Sequence, residues 1–180
     1  MGQYWKAVIN KFAYSPRDYG GMNKLMEHSF IGNDFVGHIC LKIQDCPSRV
    51  VWVGDYSDIE DIKEHKNKVF LRVSQSCNKY TIDLSKDTVD MRRGYLINVD
   101  KKEYVSLYDY CIRADSEMGI VNPLPLLTAF PKANGKGGGD YFGSDIEYIG
   151  YWSGDRILFS YSEDKIDGLQ EIIPIFIETR

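Results

Sequence analysis

The stretch RVVWVGDYSDIEDIKEH, residues 49–65, changes character halfway along, and its two halves decide the fold class. Val50 to Val53 is an unbroken run of strand-forming apolar residues, the pattern of a buried strand. Gly54-Asp55 ends it. Ser57 and Glu60 then form a capping box, the serine oxygen accepting from an early backbone N–H while the carboxylate reaches back. This predicts a short acidic helix from Asp58 to about His65.

Upstream, GNDFVGHICLKIQDCP (32–47) predicts a helix capped by Asn33 or Asp34. Phe35, Ile39 and Ile43 recur at one-turn spacing with Cys40 beside them, and Pro47 stops the run. Gly37 costs that helix roughly 1 kcal/mol relative to alanine. QYWKAVINKF (3–12) alternates as an opening strand, with Tyr4, Lys6 and Val8 on one face and Trp5, Ala7 and Ile9 on the other. MNKLMEHSF (22–30) is too short and mixed to assign.

Downstream, KVFLRVS (68–74) and KYTIDL (79–84) read as strands, and YLINVDKKEYVSLYDY as a hairpin with strands near 95–99 and 103–109. NPLPLLTAFP (122–131) is expected to run extended at first, because Pro123 and Pro125 fix their own φ and restrict their neighbours. IEYIGYWSGDRILFSYS (146–162) reads as a second hairpin around Gly154-Asp155. LQEIIPIFIE (169–178) closes as a strand, an edge one because Pro174 lacks a ladder donor. The sum is an α+β fold: a mainly antiparallel sheet with one or two packed helices, in a single domain over 1–180.

The net charge of −4 and the scattered basic residues argue against nucleic acid, whose binders concentrate cations to neutralise phosphate. Cys40, Cys46, Cys77 and Cys111 show neither a C-x-x-C pair nor metal-type spacing with histidine, which suits reduced thiols in a cytoplasmic protein. No apolar run is long enough to span a bilayer, and Lys6 stands where a myristoylation signal needs Ser or Thr. Neither a membrane nor a cofactor is expected. With 13 tyrosines and 3 tryptophans, the chain has aromatic surface for ligand walls and for a homodimer contact.

Four groups carry chemistry. The first is NGKGGGDYFG (134–143). It matches neither a Walker A loop nor G-x-G-x-x-G, since Lys136 is followed by glycine and position 140 is Asp. Successive glycines can still turn their N–H groups into a concavity that favours an anion. Lys136, Gly137, Gly138, Gly139, Asp140 and Tyr141 are therefore read as ligand-binding; a plain surface loop is the competing reading. The second is Glu27-His28, with His28 the leading general acid or base and polar packing at a sheet edge as the alternative. The third is Asp55, Tyr56 and Asp58 at the strand-to-helix junction, where acids also complement a helix N-terminus. The fourth is the Tyr/Trp set of Trp5, Trp52, Trp152, Tyr141, Tyr148 and Tyr151, read together with Tyr56 as ligand walls or as sheet filling. Tyr141-Phe142 beside the glycines stands foremost, and Trp52 and Tyr56 are read as ligand-binding. No metal site is predicted.

GQYWK, KLMEHS (24–29), VVWVGDYSD (50–58), NPLPLLTA (122–129) and NGKGGGDY (134–141) together resemble a family of small, largely uncharacterised microbial proteins. The resemblance spans most of the first 150 residues and brings no reaction with it. It implies that 24–29, 50–58 and 122–141 belong to one site, with Glu27, His28, Asp55 and Asp140 facing a shared pocket.

The leading expectation is a protein that binds a small anionic, nucleotide-like ligand containing phosphate or ribose, sequestering it as a signal. Competing with it are a hydrolase or transferase on a nucleotide-like or glycosidic substrate, using His28 or Glu27 as acid/base with Asp55 or Asp140 assisting, and a protein-interaction module.

Overall fold

The computed structural model describes residues 3–55, 89–130 and 139–179. The predicted helix at 58–65, the predicted strands at 68–74 and 79–84, and Tyr56, Asp58, Lys136, Gly137 and Gly138 lie outside the described residues.

The fold is α+β. Strands β1 (Trp5–Ile9), β2 (Phe12–Tyr14), β3 (Ser48–Gly54), β4 (Tyr95–Asn98), β5 (Glu103–Ser106), β6 (Ala129–Phe130), β7 (Arg156–Ser160) and β8 (Gln170–Glu171) form one sheet. Its order is β2-β1-β3-β7-β4-β5-β8, with β6 also paired to β3. Pairing is antiparallel except at β3–β6 and β5–β8. Four α-helices accompany it among the described residues, where one or two were expected: α1 (Leu25–His28), α2 (Asp34–Lys42), α3 (Leu107–Arg113) and α4 (Pro123–Leu127). None is long and apolar enough to cross a membrane.

The VVWV run is central, as its composition requires: β3 joins β1 to β7 and is buried from Val50 through Gly54. Its register, Trp5↔Gly54 and Ala7↔Trp52, puts Trp5, Ala7, Ile9, Val50 and Trp52 on one face, because directly opposed residues share a face. That face carries the main core, and the opposite face holds a smaller cluster of Val8, Val51 and Val53. Asn33 caps α2 as expected, its Oδ1 accepting from the N–H groups of Phe35 (3.0 Å) and Val36 (3.3 Å).

Three expectations need correction. Pro123 and Pro125 open helix α4 instead of an extended run; the buried Asn122 accepts from Leu124 N–H at 2.9 Å. Both prolines sit in the first turn, where backbone N–H groups have no helical partner to lose. The strand expected to run to residue 109 stops at Ser106, whose Oγ caps α3 by accepting from Asp109 N–H. The first strand of the 146–162 hairpin is absent. Residues 146–148 form a 3-10 turn, and Gly154-Asp155 bonds to β3 instead (Gly154 N–H to Val50 O, 3.0 Å). Of the closing strand, only Gln170–Glu171 joins the sheet, at its edge, and Glu178 makes an isolated antiparallel bridge to Gly143.

The segment beyond it is held by a clasp. Tyr141 Oη donates to the carbonyls of Ser144 (2.9 Å) or Ile177 (3.0 Å), and Ile175 N–H donates to Asp145 Oδ2 (2.6 Å). Thr179 N–H donates to Phe142 O (2.9 Å), and Ser144 Oγ donates to Ile175 O. Phe176, fully buried, packs edge-on against Tyr141.

Candidate functional site

KLMEHS forms the one-turn helix α1, not a sheet edge. Glu27 turns back and its Oε2 accepts from Lys24 N–H at 3.0 Å, while Oε1 lies 3.5 Å from Lys24 Nζ. It is exposed, and it closes the helix start. His28 points the other way into the core and is fully buried. Trp52 Nε1–H donates to His28 Nε2 at 3.0 Å, so Nε2 carries no proton; Nδ1, 3.2 Å from Met22 O, is the donor. Burial drives the His28 pKa down to about 4, against the lifting effect of backbone bonds to Met22 and Lys24. Phe35 packs edge-on against both rings, at 5.4 Å from His28 and 5.7 Å from Trp52. Glu27 and His28 therefore do not form an acid/base pair, and Trp52 is core instead of a ligand wall.

Asp55 ends β3 by exchanging bonds with Tyr4: Tyr4 N–H donates to Asp55 Oδ1 (2.9 Å) and Asp55 N–H to Tyr4 O (2.9 Å). It is exposed, unlike His28, so these two do not share a pocket. Tyr141 is buried and spends its hydroxyl in the clasp.

What the structure does bring together is α1 and the end of the glycine stretch. Met26 N–H donates to Gly139 O at 2.9 Å. Gly139 holds φ +93°, and an added Cβ would stand 2.5 Å from the Lys24 side chain, so this glycine is required for close approach. Asp140, next to it, is fully buried.

Near this junction lie three polar groups, of which the sequence nominates only Trp5, as one of the aromatic set. Trp5 N–H donates to Asn23 O at 2.8 Å, which sets Asn23 against β1. Gln3 folds its amide over Gly54, filling the space a Cβ there would take, on the face Trp5 shares with Gly54. Gln3 Nε2, Trp5 Nε1 and Asn23 Oδ1 are all buried, and none has a hydrogen-bond partner. Gln3 is 2% exposed and Trp5 0%. Leaving such atoms unpaired costs about 1–3 kcal/mol each, so three of them on neighbouring segments need an explanation. The sequence marks Trp5 as an aromatic, for stacking and not for its N–H; nothing in it marks Gln3, because its orphan amide appears only when bonds are counted.

The donor set is two N–H groups from Gln3, one from Trp5 and one acceptor from Asn23. It suits a neutral hydroxyl or carbonyl group. The adjacent cation, Lys24 Nζ, is already near Glu27. Among the described residues no group of three or more His, Cys, Asp or Glu converges in metal-binding fashion. No family model, curated protein or solved structure matches this chain.

Proposed function

We propose that the protein binds a small nucleotide-like molecule without converting it, at the junction of β1, α1 and the glycine stretch. The carrying observation is the trio of buried, unpartnered polar atoms of Gln3, Trp5 and Asn23, on segments adjoining the α1–Gly139 contact. In this reading a ribose-type end, rich in hydroxyls, satisfies the trio. The anionic end meets the glycine amides and Lys136. Binding is favoured over turnover because His28 is sealed in the core while Glu27 sits outside it.

The test is mass analysis of small molecules released from protein purified without additives, followed by calorimetry with a nucleotide and cyclic-nucleotide panel. An unaltered ligand, bound at least tenfold more weakly by Gln3→Leu and by Gly138→Ala, supports the reading. An altered product moves the protein to the enzymes. If no panel member binds, or Gln3→Leu binds as well as the parent, the trio holds only buried water and the proposal fails.

A further inference from the structure

A concavity that shares no lining residue with the Gln3 site lies between α3, the 3-10 turn Met91–Arg93 and residues 115–120. It is a cleft of about 740 Å³, within the range of small-molecule sites. Its apolar wall is unusually bare. Tyr108 and Ile112, one turn apart on α3, are 62% and 64% exposed, and Met118 is 48% exposed, with Phe30 completing the wall.

Four charges line the cleft among the described residues, and two are already used. Asp90 accepts from Arg92 N–H at 3.2 Å and pairs with the Arg93 guanidinium at 3.3 Å. The Arg92 guanidinium and the Asp115 carboxylate have no ion-pair partner among the described residues. The Cys111 thiol also lines the cleft and feels both charges. Burial pushes that thiol's pKa up, Arg92 draws it down, and Asp90 and Asp115 push it up further. One open cation and one open anion thus flank a single apolar surface.

We propose that this cleft binds a small zwitterion with apolar substituents, of the size and charge of a short apolar peptide. Arg92 takes its carboxylate, Asp115 its ammonium, and Phe30, Tyr108, Ile112 and Met118 its side chains. A neutral amphiphile would leave both charges unanswered, and a simple anion would leave Asp115 repelling it. A planar guanidinium suits a carboxylate in particular.

Calorimetric titration of the intact protein with the dipeptide Phe-Leu, its N-acetyl form and its C-terminal amide separates the contributions. The free dipeptide should bind one to one, and blocking either end should weaken binding at least tenfold. Arg92→Gln should abolish the difference between dipeptide and amide. Asp115→Asn should abolish the difference between dipeptide and N-acetyl form, and Ile112→Glu should weaken all three. These side chains are exposed, so circular dichroism melts should match the parent. Absence of saturable binding at millimolar peptide, equal binding of all three peptides, or end-group discrimination that survives both charge variants would overturn the proposal.

Discussion

His28 is neutral at physiological pH because the folded chain refuses its proton. Its folded pKa of about 4 lies below the 6.5 of a free imidazole, so between those values the unfolded chain binds a proton that the native chain does not. Stability is therefore full above pH 6.5 and falls as the pH drops toward 4, by about 3 kcal/mol from this residue. Urea unfolding from pH 7 to 4 should show the midpoint declining across that window. His28→Gln keeps an acceptor for Trp52 but cannot take a proton, and should flatten the slope. It should not remove it, since burial and Lys42 also push the His38 pKa down. A slope unchanged by His28→Gln would contradict the assignment. Tyr141 gives a second test at this scale: Tyr141→Phe leaves two carbonyls in the clasp without their shared donor and should cost about 1–2 kcal/mol in chemical denaturation.

Among the elements, those with a period or a cap were legible. The 4–9 alternation put Trp5, Ala7 and Ile9 on one face, which proves to carry the main core, and Asn33 marked the start of α2. The turn at Asp100 to Lys102, with Lys102 at φ 57°, gave the β4–β5 hairpin. Elements without either signal were not. Helix α1 is a single turn, too short to show a helical period, and α3 follows β5 with no breaker between them. Helix α4 hid behind its prolines, although Asn122 before Pro123 is an N-terminal signal in its own right. Asn122→Ala should cost about 1–2 kcal/mol, because its side chain is buried and also donates to Met91 Sδ. At the glycine stretch, Gly139→Ala combines a left-handed backbone with overlap on Lys24 and should lower stability by at least about 1 kcal/mol. A melt unchanged by that substitution would mean the Met26–Gly139 contact is dispensable.

Across the whole molecule, the sheet has two halves that meet at the start of β3. The β1–β2 side joins β7 and β4 through Ser48↔Ile157 and Arg49↔Arg156, supported by Arg49 Nη1 donating to Gly154 O at 2.8 Å. Trp5 and Trp52 report on one half and Trp152 on the other, yet all three belong to one hydrophobic cluster. Thermal unfolding followed by tryptophan fluorescence and by far-ultraviolet circular dichroism should therefore give coincident transitions. Separated transitions would show that the β3–β7 seam does not couple the halves. The same scale explains what the sequence concealed about the binding site. Glu27, His28 and Asp55 looked like chemistry because of their letters, whereas Gln3 and Asn23 became interesting only once the fold had buried their amides without partners.

The clasp between residues 141–145 and 175–179 has a consequence for how a nascent chain matures. A ribosome adding roughly 5–20 residues per second needs several seconds to travel from Tyr141 to Thr179. During that interval the tyrosine has no Ile177 to hold and Phe176 has not yet been made. The anchor on the far side of the glycines is therefore set late in synthesis, after every strand from β1 to β8 has been translated.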